Sequence, residues 1–520
     1  MEINNNVSYS RSVRCADVYT ESQADYVLPD YLGDVRKILY TEASLRPSGR
    51  FAGGDEVEIS GVVVYNLIYL DTDGGLCSAE FTSDYDYTVK CSGEGYNDSV
   101  ADTRVSGYAI RLIGPRKVSA KASLVGSVRL CESCNLTTFG DAFEGDSEPE
   151  VNMGRVNLRI DRLSSTTERE FAESVARLDG AIADEISIVH TYTECTVDSV
   201  HAEENGACVK GKLRLCAIIK NGEEPAYGVE RSVGFEESVN FDDGVSEAMS
   251  LVPHLTVSSV KTNVNADDQG CELVMSAIVE MYIVGEGNGT VELMLDGYLK
   301  ECPTDNSYDD FEYTCLKSVT EINEAHTTEI NRADIESDGL REILFLSSTP
   351  KVESVKCENG TVNILGEIRY SGIASEIVGE KITYTGIKFT SPFDINVNTS
   401  CQMDENSSFE VQLHTTNTGA TLDAEKLYVS LNIEGVLTVS DEKCERVLTS
   451  MSRRSGEMYE PDEAKITVYY PSPSDTLFSV AKRYHSSCMK VAQDNDITES
   501  VFASDNPSGS LSGVKKLIIY

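Results

Sequence analysis

Six histidines, a Cys131-Glu-Ser-Cys134 pair and a glycine-rich GEGNG stretch at 285–289 are the places where this chain could do chemistry. A CxxC pair supplies two of the four ligands a structural zinc needs, and no second pair or neighbouring histidine completes the set. Cys131 and Cys134 therefore read as two incidental cysteines at a strand end. His190, His201, His254, His326, His414 and His485 stand apart, none in HExxH and none spaced with Cys or Asp as a metal set. A phosphate cradle at GEGNG would need a helix to follow it, but the next residues, VELML, have a strand pattern, so the stretch reads as a hairpin tip. There is no G-x-S-x-G, no P-loop and no G-x-G-x-x-G entering a helix. The expectation is a protein that is not an enzyme, with no catalytic residue, cofactor or metal.

Those residues sit in a chain of 520 with 86 acidic against 44 basic side chains, a formal charge of −42. Such a surface repels nucleic acid and anionic lipid and favours a basic partner, so neither a nucleic-acid partner nor a polybasic membrane anchor is expected. No run of 18 apolar residues occurs and the first residues lack an apolar signal region, which argues against direct membrane insertion and export. Fifteen cysteines, an odd number scattered from Cys15 to Cys488, fit a reducing cytosol better than a disulfide scaffold.

The elements come in a repeat. VEISGVVVYNLIYL (57–70), ACVKGKLRLCAIIK (207–220) and VNILGEIRYSGIAS (362–375) align without gaps, each with a glycine at its fifth place: Gly61, Gly211 and Gly366. Apolar residues alternate in the same phase in all three, which predicts half-buried strands of antiparallel sheets. The glycine falls on the apolar face each time, predicting a bulge or a close approach by a neighbour, a structural role. Ile38, Ile188 and Ile343 each precede the glycine by 23 residues, and later strand patterns centre on Ser119, Ser276 and Ser430. Turns are expected at Asp73-Gly74-Gly75, Asn221-Gly222 and Asn359-Gly360. The intervals of 150 and 155 residues exceed those of solenoids, so each copy should be a domain with its own core. Residues 1–25 read as a tail and 26–150, 186–299 and 341–449 as the three β domains. Residues 151–185, with Phe171, Val175 and Leu178 at weak helical spacing, read as a connector. So do 300–340, with one short helix, and 450–464.

The opening LPDYLGDVRKIL (28–39), with the strand around Gly61, resembles the SPOCS domain of endospore-forming bacteria; the second and third copies follow by spacing and phase. That resemblance implies a mainly β fold of three tandem SPOCS-like domains.

Residues 465–520 read strand, helix, helix, strand. Ser474 or Asp475 is expected to cap the first helix, whose Leu477, Val480, Ala481 and Tyr484 share a face. Ser486 or Ser487 is expected to cap the second, with Met489, Ala492 and Gln493 leading to Asn495. The run Ser474-Asp475-Thr476-Leu477-Phe478-Ser479-Val480-Ala481-Lys482-Arg483-Tyr484 is similar to the opening of a LysM module, a small α/β (βααβ) fold. Leu511, Gly513 and Leu517 to Ile519 match its ending. The resemblance implies a ligand face on the loops 472–477 and after Asn495, with Ser474, Asp475, Thr476, Leu477, Asn495, Asp496 and Ile497 shaping it. The family binds N-acetylglucosamine-containing glycan. Here Ser474 replaces the usual glycine, Phe478 the common Trp, and 496–513 is a long acidic loop. Six basic and five acidic residues between 465 and 520 make the module +1 on a body of −43.

SPOCS-like domains followed by LysM resemble endospore coat morphogenesis proteins. The resemblance implies a non-enzymatic scaffold made in the mother cell cytoplasm and held at the forespore surface. Its partner would be the coat basement-layer ATPase, a protein like stage IV sporulation protein A. Two other readings stay open: a peptidoglycan- or cortex-binding protein using LysM as a lectin, and a phage-like tail or baseplate component.

Overall fold

The computed structural model describes residues 4–53, 56–90, 96–139, 148–242, 244–245, 248–335, 339–358, 360–399, 406–454, 456–460, 466–497, 511 and 514–520. Nearly everything before the module is antiparallel strand. In copy one, Asn4–Arg14, Val18–Val27 and Tyr96–Gly114 pair with the long strand Lys117–Phe139. A second sheet sets Val35–Leu45, Gly49–Gly53 and Leu76–Lys90 around Glu56–Asp71. Copy two repeats this with Glu150–Leu163, Thr167–Asp179 and Ser250–Asp267 on Gly270–Tyr298, faced by Ile186–Glu203 and Tyr227–Asn240 around Gly206–Asn221. In copy three one strand of 28 residues, Thr304–Asn331, takes the place of the first two. With Ser407–Leu422 it flanks Lys426–Arg453, and Leu340–Glu358 and Lys381–Asn398 flank Thr361–Val378.

Each copy is a sandwich with its own apolar core, as the in-phase alternation requires. Val57, Ile59, Val63 and Tyr65 meet Val118, Ala120, Ala122 and Leu124 in copy one. Leu213 and Leu215 meet Met275 and Val279 in copy two, and Ile364 and Ile368 meet Val429 and Leu431 in copy three.

The repeat glycines have a shared cause. Gly61, Gly211 and Gly366 lie opposite Tyr85, Phe235 and Phe393 on the next strand, and each ring lies over the bare glycine. A Cβ built on these glycines would stand 2.7, 2.6 and 2.5 Å from those rings. In copies two and three the strand on the other side also bulges at this point, between Val197 and Ser199 and between Val352 and Ser354.

The three copies close around a pseudo-threefold axis, and three levels of contact mark it. At the first, each copy carries the same β-bulge, between Ile38 and Tyr40, Ile188 and His190, and Ile343 and Phe345. The extra residue swings Leu39, Val189 and Leu344, with the following ring, toward the axis. Tyr40, His190 and Phe345 form a closed trio with centroids 5.9, 5.3 and 5.2 Å apart, above Ile68, Ile218 and Ile373. The second level comes ten residues beyond the repeat serines, where Arg129, Glu286 and Ser440 converge. At the third, seven residues further, Leu136, Leu293 and Val447 pack with Tyr9, Val156 and Phe311.

Several expectations fall here. The described residues of 1–25, from Asn4 on, and residues 151–185 are not tail and connector but carry the opening strands of copies one and two, and most of 300–340 opens copy three. No α-helix forms at 171–178; a bulge between Ser174 and Ala176 shifts the strand's alternation by one, producing a spacing that imitates a helix. Among the described residues of 300–340 the one helical turn is the four-residue 3-10 turn Arg332–Ile335. GEGNG is no hairpin tip: it runs through the middle of the 29-residue strand Gly270–Tyr298 at the axis. Its asparagine, Asn288, exchanges hydrogen bonds with the backbone of Leu316 (2.7 and 2.9 Å). Gly74, Gly222 and Gly360 take positive φ in turns as expected; Asn359 lies outside the described residues.

Candidate functional site

The module comprises Thr467–Tyr469 paired with Leu517–Ile519 and two helices, α1 (Leu477–Arg483) and α2 (Cys488–Asp494). The strand–helix–helix–strand order is as expected. Lys465 and most of the 496–513 loop lie outside the described residues. The cap of α1 is Thr476, not Ser474 or Asp475: its hydroxyl accepts from Ser479 N (3.1 Å) while Ser479 Oγ accepts from Thr476 N (2.9 Å), a reciprocal capping box. Asp475 turns inward instead, accepting from Tyr469 Oη (2.6 Å) and Ser472 N (2.7 Å), and these bonds hold its carboxyl below the usual range. Ser487 stands at the start of α2 without a side-chain cap bond, and Met489 faces out; Val491 and Ala492 fill the core.

Of the residues expected to shape a ligand face, Leu477 is buried in the module's core and Ile497 packs against it. Asn495 Nδ2 donates to Val491 O and Ile518 O (2.9 and 2.7 Å), and its Oδ1 accepts from Ile518 N (2.6 Å). It ties α2 to the last strand. Asp496 takes a positive φ of 52° directly after it. Ser474 and Thr476 remain near the surface. The described part of this face is therefore mostly framework.

What the sequence does not announce is how firmly the module sits on copy two. Phe478 packs edge-on to Tyr298 at 5.3 Å. Tyr298 Oη donates to Ser486 O (2.6 Å), and burial pushes its pKa up. Lys482 Nζ bridges both oxygens of Asp296 (2.7 and 2.6 Å), and Cys488 N donates to Glu150 (3.3 Å). His485 stacks on Tyr459 with centroids 3.4 Å apart. The opposite face of the module's small sheet is bare: Ile466, Val468, Tyr470 and Tyr520 are exposed.

The chemistry-bearing residues do not assemble elsewhere. Cys131 and Cys134 are half-buried opposite Ser12 and Tyr9. Burial, together with the Glu132 carboxylate, pushes the Cys134 thiol's pKa up despite Arg11 nearby. Among the described residues no group of three or more His, Cys, Asp or Glu could hold a metal, and no helix is long and apolar enough to cross a membrane. His190 and His254 are each driven down to about 4, His190 by burial alone and His254 by burial with Arg129 and Arg50 nearby.

The class defined so far is a mainly β protein of three related sandwiches with a small α/β head. No family model matches the chain, no curated protein matches it, and no solved structure matches its fold.

Proposed function

We propose that the protein is a non-enzymatic scaffold of endospore coat assembly whose LysM-like head docks on a protein at the forespore surface, the basement-layer ATPase implied by the resemblance. One observation carries the reading: the head offers a bare apolar sheet face, while Asp475, Leu477 and Asn495, the residues a sugar site would draw on, are spent on holding the head together. Exposed apolar groups gathered on one face suit a protein partner better than a sugar, which needs convergent polar groups in a defined groove. The fixed seat on copy two gives the head a set orientation, as an adaptor requires.

The test is a fluorescent fusion followed through sporulation. Signal confined to sporulating cells and encircling the forespore, lost in Val468→Glu/Tyr470→Glu, is the expected result. Constant vegetative expression would overturn the reading. Saturable binding to purified peptidoglycan, competed by chitooligosaccharide, would replace it with the lectin reading.

A further inference from the structure

At the end of the body farthest from the head, nine chain connections come together. Backbone bonds join them within each copy: Leu28 N to Arg116 O and Thr72 N to Asp34 O, Gly222 N to Glu185 O and Gly180 N to Gln269 O, and Arg332 N to Glu425 O. The copies present this end in the same direction, because the aromatic trio on the axis lies only a few residues beneath it in each. The strand Gly270–Tyr298 starts here and ends at the head, roughly 90 Å away at about 3.3 Å per residue.

Two properties coincide on this end. The first is exposed apolar surface. Tyr31 is 85% exposed, Val27 63% and Ile113 55% on copy one, and Ile182 is 58% exposed on copy two. On copy three the hairpin reaches two residues further past its repeat glycine than its counterparts do, and lifts Val378 (61%) and Ile377 (50%) into solvent. Where the other copies turn through Thr-Asp-Gly-Gly and Gly-Glu-Glu, this one ends in an aliphatic finger. The second property is charge. The described residues of the nine connections hold twelve carboxylates and two arginines. Arg116 donates to the carbonyls of Leu28, Pro29 and Leu32 and pairs with Asp34 (3.1 Å) and Asp30 (3.8 Å), while Arg332 donates to the carbonyls of Asp423, Ala424 and Leu340.

Aliphatic tips set among a large excess of carboxylates are complementary to one kind of surface, and a bare aliphatic hairpin tip left in water is a liability unless something covers it. We propose that this end of the body is a second docking surface, separate from the head, for a basic polypeptide whose apolar side chains are interleaved with lysine or arginine. The apolar tips enter between the partner's basic side chains, which pair with the carboxylates around them. A second copy of this chain would bring like charge against like. A zwitterionic bilayer's ammonium groups are each matched by their own phosphate, so it carries no net positive charge to meet these carboxylates.

The test uses the full chain at physiological salt. The probe is a synthetic amphipathic peptide of leucine and lysine, compared with a lysine homopeptide of equal charge. The expected result is at least tenfold tighter binding of the amphipathic peptide. Ile377→Ser/Val378→Ser/Tyr31→Ser should remove that preference and leave homopeptide binding unchanged. These side chains are exposed, so an unaltered melting curve should accompany the loss. A preference that survives in the variant overturns the proposal. So does light scattering that shows a dimer broken by the variant, which would make a second copy the occupant. Flotation of the wild type, but not the variant, with zwitterionic vesicles would make a lipid surface the occupant and overturn it equally.

Discussion

His190 shows how much one position on the axis decides. Its pseudo-equivalents are Tyr40 and Phe345, whose rings tolerate or seek an apolar site, whereas an imidazole there is 8% exposed and its Nε2 has no hydrogen-bond partner. Burial holds its pKa at about 4, so the native state keeps it neutral while an unfolded histidine, with a pKa near 6.5, takes up a proton. The unfolded state binds more protons between those values; stability is full above about pH 6.5 and falls as pH drops toward 4. From pH 7 to pH 5 this site alone removes about 2 kcal/mol. His190→Phe should therefore raise the urea midpoint at pH 7 by completing the ring trio, and raise it further at pH 5, flattening the dependence. Equal gains at both pH values would show that the imidazole does not titrate on unfolding. The repeat glycines give a second prediction at this scale. Gly211→Ala pushes a methyl against the Thr196 carbonyl oxygen, the nearest atom to where a Cβ would stand, and into the Phe235 ring, and should cost about 1–3 kcal/mol, by overpacking. Pairing it with Phe235→Leu should recover only the share due to the ring, since the Thr196 carbonyl stays in place, measured by the same urea melts.

Elements declared themselves unevenly. The phase of alternation around Gly61, Gly211 and Gly366 was legible because a sandwich buries one face of each inner strand, and a period of two survives sequence drift. The isoleucines 23 residues before each glycine mark the bulge that turns Leu39, Val189 and Leu344 to the axis, although nothing in one sequence says that a bulge is there. The opening strands were not legible: Thr167–Asp179 carries a bulge that mimics helical spacing, and Thr304–Asn331 is polar along most of its length. GEGNG misled for another reason. Glycine weakens a strand unless a neighbour comes close, and at Gly287 the Met249 side chain does, with its Cγ 3.0 Å from where a Cβ would stand. In the module, helices and strands were legible from caps and periodicity, but a motif gives no sign of whether Asn495 faces a ligand or the chain itself. It faces the chain. Asn495→Leu removes two hydrogen bonds to the last strand and one to Val491 of α2 and leaves the backbone groups of Ile518 without these partners, so a loss of about 2–4 kcal/mol confined to the module is expected. Limited proteolysis should then release a body fragment ending near residue 460 while the body's own melting stays put; co-operative loss of both would show that the head and body fold as one unit.

At the scale of the whole molecule, the question is why three related sandwiches in one chain settle in a single order around their axis. The middle level of contact answers it with charges that differ from copy to copy. Copy one supplies Arg129 and Arg14, copy two Arg159, Asp161 and Glu286, and copy three Glu410 with the hydroxyls of Thr438 and Ser440. Arg129 reaches Asp161 (3.0 Å), Glu286 (2.7 Å) and Glu410 (2.8 Å). Arg159 reaches Asp161 (3.3 Å), Glu286 (3.1 Å) and Ser440 Oγ (3.2 Å), and Arg14 closes on Glu410 (3.1 Å). The buried arginines Arg129 and Arg159 and the half-exposed Arg14, which also pairs with Asp17 (3.2 Å), meet Asp161, Glu286 and Glu410, so these buried charges find their partners only when all three copies are in place and in this order. Desolvating these groups costs several kcal/mol each, which makes such a cluster a weak source of net stability and a strong source of discrimination against wrong arrangements. Exchanging two copies, or assembling three identical ones, would bury an unmatched charge on the axis. Breaking the cluster from one side should therefore be severe: Arg129→Met leaves Asp161 and Glu286 leaning on Arg159 alone and should cost about 3–5 kcal/mol. Replacing the whole set, Arg129→Met with Asp161→Leu, Glu286→Leu, Arg159→Met and Glu410→Leu, should restore most of that stability, because matched apolar groups need no pairing. What it should not restore is the arrangement. Split into fragments 1–149 and 150–520 and mixed, the native chain should reassemble one to one, while the apolar set should also give fragments associating with their own kind, a difference that native mass spectrometry reads directly. If the apolar chain reassembles as cleanly as the native one, the order of the copies is set by the linkers and the aromatic trio, and the buried charges have no part in it.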